Sequence, residues 1–231
     1  MINILKHDIR MCFNKKLVIG ACIILIILAV LPIGGGSLLK IQQFTGEVIP
    51  LIAMYISALL FSSEFEQNTY KTTFTGRYSR LQILLIKLLA AMVMAIMMAG
   101  FLCAVFKAAS LYDGVKYGLM DALHVLNCLV LFTLLVSGVG FLAAVICKNF
   151  IGTFLVLFVL FYDFFNRCLV MVAEGIRNEG MKNFILHIPL YDAISGLRRF
   201  SYSSNVIISI FIASMISITI TGVILHNRDL A

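Results

Sequence analysis

Long apolar runs alternate with short polar connections along the whole chain, and most of the runs match the length of a helix that crosses a lipid bilayer. The hydrocarbon core is roughly 30 Å thick, which a helix crosses with about 20 largely apolar residues. The pattern predicts six spans: Leu17 to Ile33, Phe44 to Phe61, Leu81 to Phe106, Ala122 to Cys147, Phe150 to Val172 and Asn205 to Leu225. Ahead of them, residues 1–16 place Ile2, Leu5, Ile9 and Cys12 at helical spacing, with Lys6, Asp8, Arg10 and Asn14 largely opposite. That pattern predicts an amphipathic helix lying in the membrane interface.

The connection between the fifth and sixth spans, residues 173–204, is too polar to cross a membrane and too apolar to be a free loop. Phe184, Ile188 and Tyr191 can share one face around the Pro189 break, and Ala193, Leu197 and Phe200 recur just after it. Two short helices dipping into the outer leaflet are expected, packed against their neighbours because backbone at that depth must be buried in protein or line a wet cavity. The predicted fold class is therefore an all-α polytopic membrane protein, a single domain over residues 1–231. It has six transmembrane helices, an N-terminal amphipathic interfacial helix and a re-entrant helical hairpin between spans five and six.

Composition agrees: 61% of the 231 residues are hydrophobic, 13% are charged and the mean hydropathy is +1.04, against about 45–50% apolar and about 25% charged in soluble domains. The first apolar run is expected to be retained, since the segment before it is long and amphipathic and Pro32 to Ser37 offers no small-x-small cleavage site. The net charge of +7 comes from basic residues that flank spans rather than forming one patch, which suits anionic lipid headgroups and argues against nucleic acid. Cys12, Cys22, Cys103, Cys128, Cys147 and Cys168 are scattered singly, so they read as small apolar side chains with no zinc or redox motif. With both termini cytoplasmic, ten of the 18 Lys and Arg fall inside and eight outside. The four charges before the first span favour that orientation.

Within the spans, Ala91, Ala95 and Ala99 make a small-residue stripe, and Gly138, Gly140 and Ala144 give the fourth span smooth patches for close helix packing. A compact polar segment, residues 62–80, separates the second and third spans. Its acids, Glu64 and Glu66, come first and its bases, Lys71, Arg77 and Arg80, later, an order that suits the dipole of a short interfacial helix. Tyr70, Phe74, Tyr78 and Leu81 would form an aromatic ridge on it, with Gly76 as a possible division; a solvated loop is the alternative.

The order Glu64, Glu66-Gln67, Thr69, Ser79-Arg80 and Lys87 resembles the signature of ABC-2 type transporter permeases, in which an E-x-E-x-G-T stretch leads through a short amphipathic helix to an S-R pair and a Lys in the third span. Asn68 stands where glycine is usual, and no proline precedes the Ser-Arg pair, departures that bear on the turn geometry. The resemblance extends over nearly the full length, from the N-terminal elbow to the closing "HNRDLA". It implies that Glu64, Glu66, Thr69, Tyr70, Lys71, Phe74, Arg77 and Arg80 belong to a coupling element seated on a separate ATP-binding subunit. It also implies two copies of that subunit, a second permease half to complete a homodimer or heterodimer, and ATP and magnesium bound by the partner. The chain itself has no G-x-x-x-x-G-K-[ST] loop, so no cofactor and no enzymatic activity are expected of it. The small outer connections resemble the peptide-handling branch of the family, including bacteriocin-immunity permeases and phenol-soluble modulin exporters. The implied function is export of an amphipathic peptide across a bacterial plasma membrane; a lipid or small hydrophobic drug is the alternative cargo.

The fifth span contains "LFYDFFNRC", with Asp163 and Arg167 four residues apart on one helix face and Asn166 beside them. A charge in a membrane costs about 2.5–3.5 kcal/mol on insertion scales, so the two are expected to pair. An outer gate, a dimer lock and a plain anchoring ion pair are all open readings. An intramembrane protease lacks support, since there is no Gly-x-Ser-x-Gly elbow and His7, His124, His187 and His226 lie near separate span ends. An independent channel would be expected to carry a row of intramembrane charges, and Asp163 alone stands out.

Overall fold

A computed structural model describes residues 2–13, 38–66, 79–176 and 178–227. They form α1 (Ile2–Phe13), α2 (Leu38–Glu66), α3 (Arg80–Asp113), α4 (Leu119–Cys147), α5 (Phe150–Phe161), α6 (Asp163–Gly175), α7 (Glu179–Leu186), α8 (Pro189–Arg199) and α9 (Ser204–Asn227), with no strand among the described residues. Among the described residues, four stretches are long and apolar enough to cross a membrane: Ile41–Ser63 in α2, Leu81–Leu111 in α3, Leu119–Cys147 in α4 and Ser204–Leu225 in α9. The predicted first span, residues 17–33, lies outside the described residues.

Helix ends follow local chemistry. Ser79 opens α3 with a capping box: its Oγ accepts from the Gln82 N–H at 3.3 Å, and Gln82 Oε1 accepts from the Ser79 N–H at 3.0 Å. Lys148, at φ 55°, turns the chain out of α4 while its N–H donates to the Ala144 carbonyl at 2.9 Å. Asn149 then caps α5 by accepting from the Gly152 N–H.

The predicted fifth span is not one continuous helix. Tyr162 is extended, with φ −100° and ψ 166°, and its N–H closes α5 by donating to the Phe158 carbonyl at 2.9 Å. The 12 residues of α5 are about 18 Å long, short of a bilayer's roughly 30 Å core. The break starts a new helix at Asp163.

α4 is the centre of the bundle, packed against α2, α3, α5 and α9, with buried residues along its length from Val125 to Val145. Two apolar clusters mark the two ends. At one, Cys12 of α1 meets Leu60 and Phe61 of α2, Leu84 of α3, Phe141 and Val145 of α4 and Leu225 of α9. At the other, Leu197 and Phe200 at the end of α8 join Ile49 of α2, Phe106 of α3, Val125 of α4 and Ile210 of α9. Thus α1 and the end of α9 share one end of the bundle, and α8 covers the opposite one.

The small residues pack as predicted. Ala91, Ala95 and Ala99 are buried, and the space beside Gly138 is filled by α9, with the Ser214 carbonyl 3.2 Å from where a Cβ would stand. Ser57 and Ser137 are 3.2 Å apart, a hydrogen bond joining α2 to α4 inside the bundle. Outside, Leu81, Leu85, Leu89 and Ile96 of α3 and Ile208, Ile212, Ile216 and Val223 of α9 are exposed. Such a surface suits lipid contact.

The connection before α9 does form two short helices, with different roles. α8 buries Ala193, Ile194, Leu197 and Phe200, including the three residues predicted there. α7 buries none and packs against α6, and Phe184 on it is 75% exposed, while Ile188 and Tyr191 stand across the break in the cap and first turn of α8, so the three residues do not share one helix. Tyr202 anchors α8 by donating from its hydroxyl to the Ala193 carbonyl at 2.6 Å. Gly196 lies directly beneath the Tyr202 ring, where any Cβ would overlap it. Burial holds the Tyr202 phenol neutral, raising its pKa well above the usual tyrosine value.

Candidate functional site

Among the described residues, two regions gather polar side chains in this apolar bundle, one at each end. The first joins α1 to the two helices that flank the polar segment. Lys87 lies six residues into the Leu81–Leu111 stretch of α3, with its side chain only 3% exposed. Its Nζ donates to the Leu60 carbonyl of α2 at 2.7 Å and stands 3.8 Å from Asp8 Oδ2 of α1. Asp8 is also buried, its side chain 6% exposed, and among the described residues Oδ2 accepts no hydrogen bond. One ammonium group therefore holds α1, α2 and α3 together.

The sequence pattern places Asp8 largely on the polar face of α1, whereas in the structure it is buried. The signal was present: Asp8 is three residues after Leu5 and four before Cys12, the spacing that puts helix positions on one face. Burial requires a partner cation on the receiving helix, which the pattern of a single helix does not reveal.

Of the residues predicted to couple to a partner, Glu64 and Glu66 lie in the last turn of α2, which runs beyond the predicted end of the span. They therefore end a helix rather than begin one, a correction to the dipole argument: apolar packing of α2 carries it onward to Glu66, and the dipole preference of two acids, worth only about 0.3–1 kcal/mol each, does not stop it. Arg80 is the first residue of α3. Thr69, Tyr70, Lys71, Phe74 and Arg77 fall outside the described residues, as does the predicted aromatic ridge apart from Leu81, which is 60% exposed on α3. The flanks of the segment do lie at the α1 end of the bundle, since Phe61, Leu84 and Cys12 share a cluster there.

The second region lies at the α8 end. A cleft of about 580 Å³ separates α6 from α8, lined by Arg167, Met171, Glu174, Tyr191, Arg198 and Arg199 among others. A smaller one of about 170 Å³ continues from it past Arg167, Ile194 and Arg198 to Gly46, Glu47 and Pro50 of α2. A third, of about 540 Å³, opens between α8 and the start of α9, where His187 Nδ1 is 3.5 Å from Asp192 Oδ2. Asp163, the first residue of α6, is one turn from Arg167, which lines the first two clefts. Asp163 thus stands at a helix junction and not within a continuous helix, and its side chain, with the predicted pairing to Arg167, lies outside the described residues.

No protein-family model matches this chain, and no curated protein matches it.

Proposed function

We propose that the chain is the membrane permease subunit of an ATP-driven exporter, working with a separate ATP-binding subunit in two copies and with a second permease half. The observation that carries this reading is the three-helix junction at Lys87. It links α1 to the ends of the helices on either side of the polar segment, so a force applied to that segment reaches α2, α3 and the interfacial helix together. Long helices such as α3, with 34 residues, transmit such a force as rigid bodies over about 50 Å. On this reading Glu64, Glu66 and Arg80 bracket the grip of the ATP-binding subunit, the termini are cytoplasmic, and the cargo is an amphipathic peptide leaving a bacterial plasma membrane.

Purification from native membranes in mild detergent tests the proposal. An ATP-hydrolysing subunit is expected to copurify, and single cysteines placed between Thr69 and Arg77 are expected to react with membrane-impermeant thiol reagents only from the cytosolic side. Labelling of those cysteines from outside, or ATP-independent movement of peptide by the chain alone in proteoliposomes, overturns it.

A further inference from the structure

The clefts at the α8 end have a chemistry that the exporter reading does not use. We propose that the cleft between α6 and α8 is a binding site for an anionic phospholipid, its phosphate held by Arg167, Arg198 and Arg199 and its acyl chains lying along Val170 and Met171. At about 580 Å³ the cleft falls in the size range of small-molecule sites, about 300–1,000 Å³. Among the described side chains, its lining carries the guanidinium groups of Arg167, Arg198 and Arg199 and the carboxylate of Glu174. Guanidinium is planar and presents paired donors that match two oxygens of one phosphate, and it is desolvated more readily than an ammonium group.

The guanidinium groups start from a rigid base. Arg198 and Arg199 end α8, whose Ala193, Leu197 and Phe200 are buried, and the backbone at Arg198 lies so close to α2 that a Cβ on Gly46 would stand 3.0 Å from its Cα. A preorganised site of this kind loses little freedom on binding. The adjoining smaller cleft reaches Gly46, Glu47 and Pro50, about 8–14 Å along the membrane-crossing stretch that begins at Ile41, a depth at which a lipid presents acyl chain rather than headgroup. Free phosphate would use the arginines and leave the apolar wall uncovered. Met171 is 70% exposed on that wall. A phospholipid satisfies both parts at once. A zwitterionic headgroup would place its own cation against the three arginines.

Native mass spectrometry of the purified full chain, exchanged into micelles with graded phosphatidylglycerol or phosphatidylcholine, tests this. Phosphatidylglycerol is expected to be retained at least about tenfold more tightly than phosphatidylcholine, and Arg199→Gln, at an exposed position on the cleft, to reduce that retention about tenfold. Arg167→Gln provides a second reading from α6, and Arg10→Gln, exposed on α1 at the opposite end, is expected to leave retention unchanged. Glycerol 3-phosphate at millimolar concentration is not expected to displace the lipid. Equal retention of the two lipids, displacement by glycerol 3-phosphate, or wild-type retention in Arg199→Gln with Arg167→Gln folded and equally unaffected, overturns the proposal.

Discussion

Replacing Lys87 with methionine removes the ammonium that α1, α2 and α3 share while keeping most of the side chain's volume. At 3.8 Å from Asp8 Oδ2, its attraction to the carboxylate is about 4 kcal/mol at an effective dielectric of about 20. The bond to the Leu60 carbonyl adds about 1.5–3 kcal/mol, and desolvation of the ammonium offsets part of both. The net expected loss is about 3–5 kcal/mol, the range for leaving one member of a buried pair without its counter-charge. Asp8→Asn leaves Lys87 bound to Leu60, so its loss is expected to be smaller, about 1–3 kcal/mol. The double variant Asp8→Asn, Lys87→Met has no buried charge at this junction from either residue and is expected to recover about 2 kcal/mol of the Lys87→Met loss. Reversible unfolding in mixed micelles with rising sodium dodecyl sulfate, followed by helical circular dichroism, measures all three. Wild-type stability in Lys87→Met, or strictly additive losses in the double variant, would refute the reasoning that the two groups interact inside the bundle.

Two further outcomes follow from the α8 end. Gly46→Ala is expected to destabilise, because overpacking against the Arg198 backbone costs about 1–3 kcal/mol against about 1 kcal/mol gained in helix propensity; Gly100→Ala, which meets no atom within 4 Å, is expected to be neutral or stabilising in the same unfolding assay. Tyr202→Phe removes the bond to the Ala193 carbonyl and is expected to cost about 1–2 kcal/mol near neutral pH. Because the native phenol is raised above its unfolded value of about 10, its contribution is complete below that pH and is lost as pH rises through the native value. Unfolding measured at pH 8 and pH 11 should therefore show a shallower alkaline decline in Tyr202→Phe than in the wild type.

Much of the architecture was legible in the alternation of apolar and polar residues. The runs around Phe44 to Phe61, Leu81 to Phe106, Ala122 to Cys147 and Asn205 to Leu225 all proved to be helices of membrane-crossing length, with ends shifted by up to five residues. A span's length and hydropathy are properties of its own residues, so no partner is needed to read them. The small-residue patches and the buried face of α8 were visible for the same reason. The fifth span was misread as continuous because hydropathy averages over "LFYDFFNRC" and carries no information about φ and ψ at Tyr162.

The sequence by itself determined that this is a helical membrane protein, which helices are long enough to cross, and where its polar segment and the connection before the last span lie between them. Only the tertiary structure decided that Asp8 faces inward to Lys87, that α2 extends to Glu66, and that Arg167, Arg198 and Arg199 line one cleft. The physical reason is range. Spacing along one helix dictates which residues share its face, whereas the partner that makes a buried charge tolerable comes from another helix, 79 positions on in the case of Asp8 and Lys87, and is brought there by packing of the whole bundle.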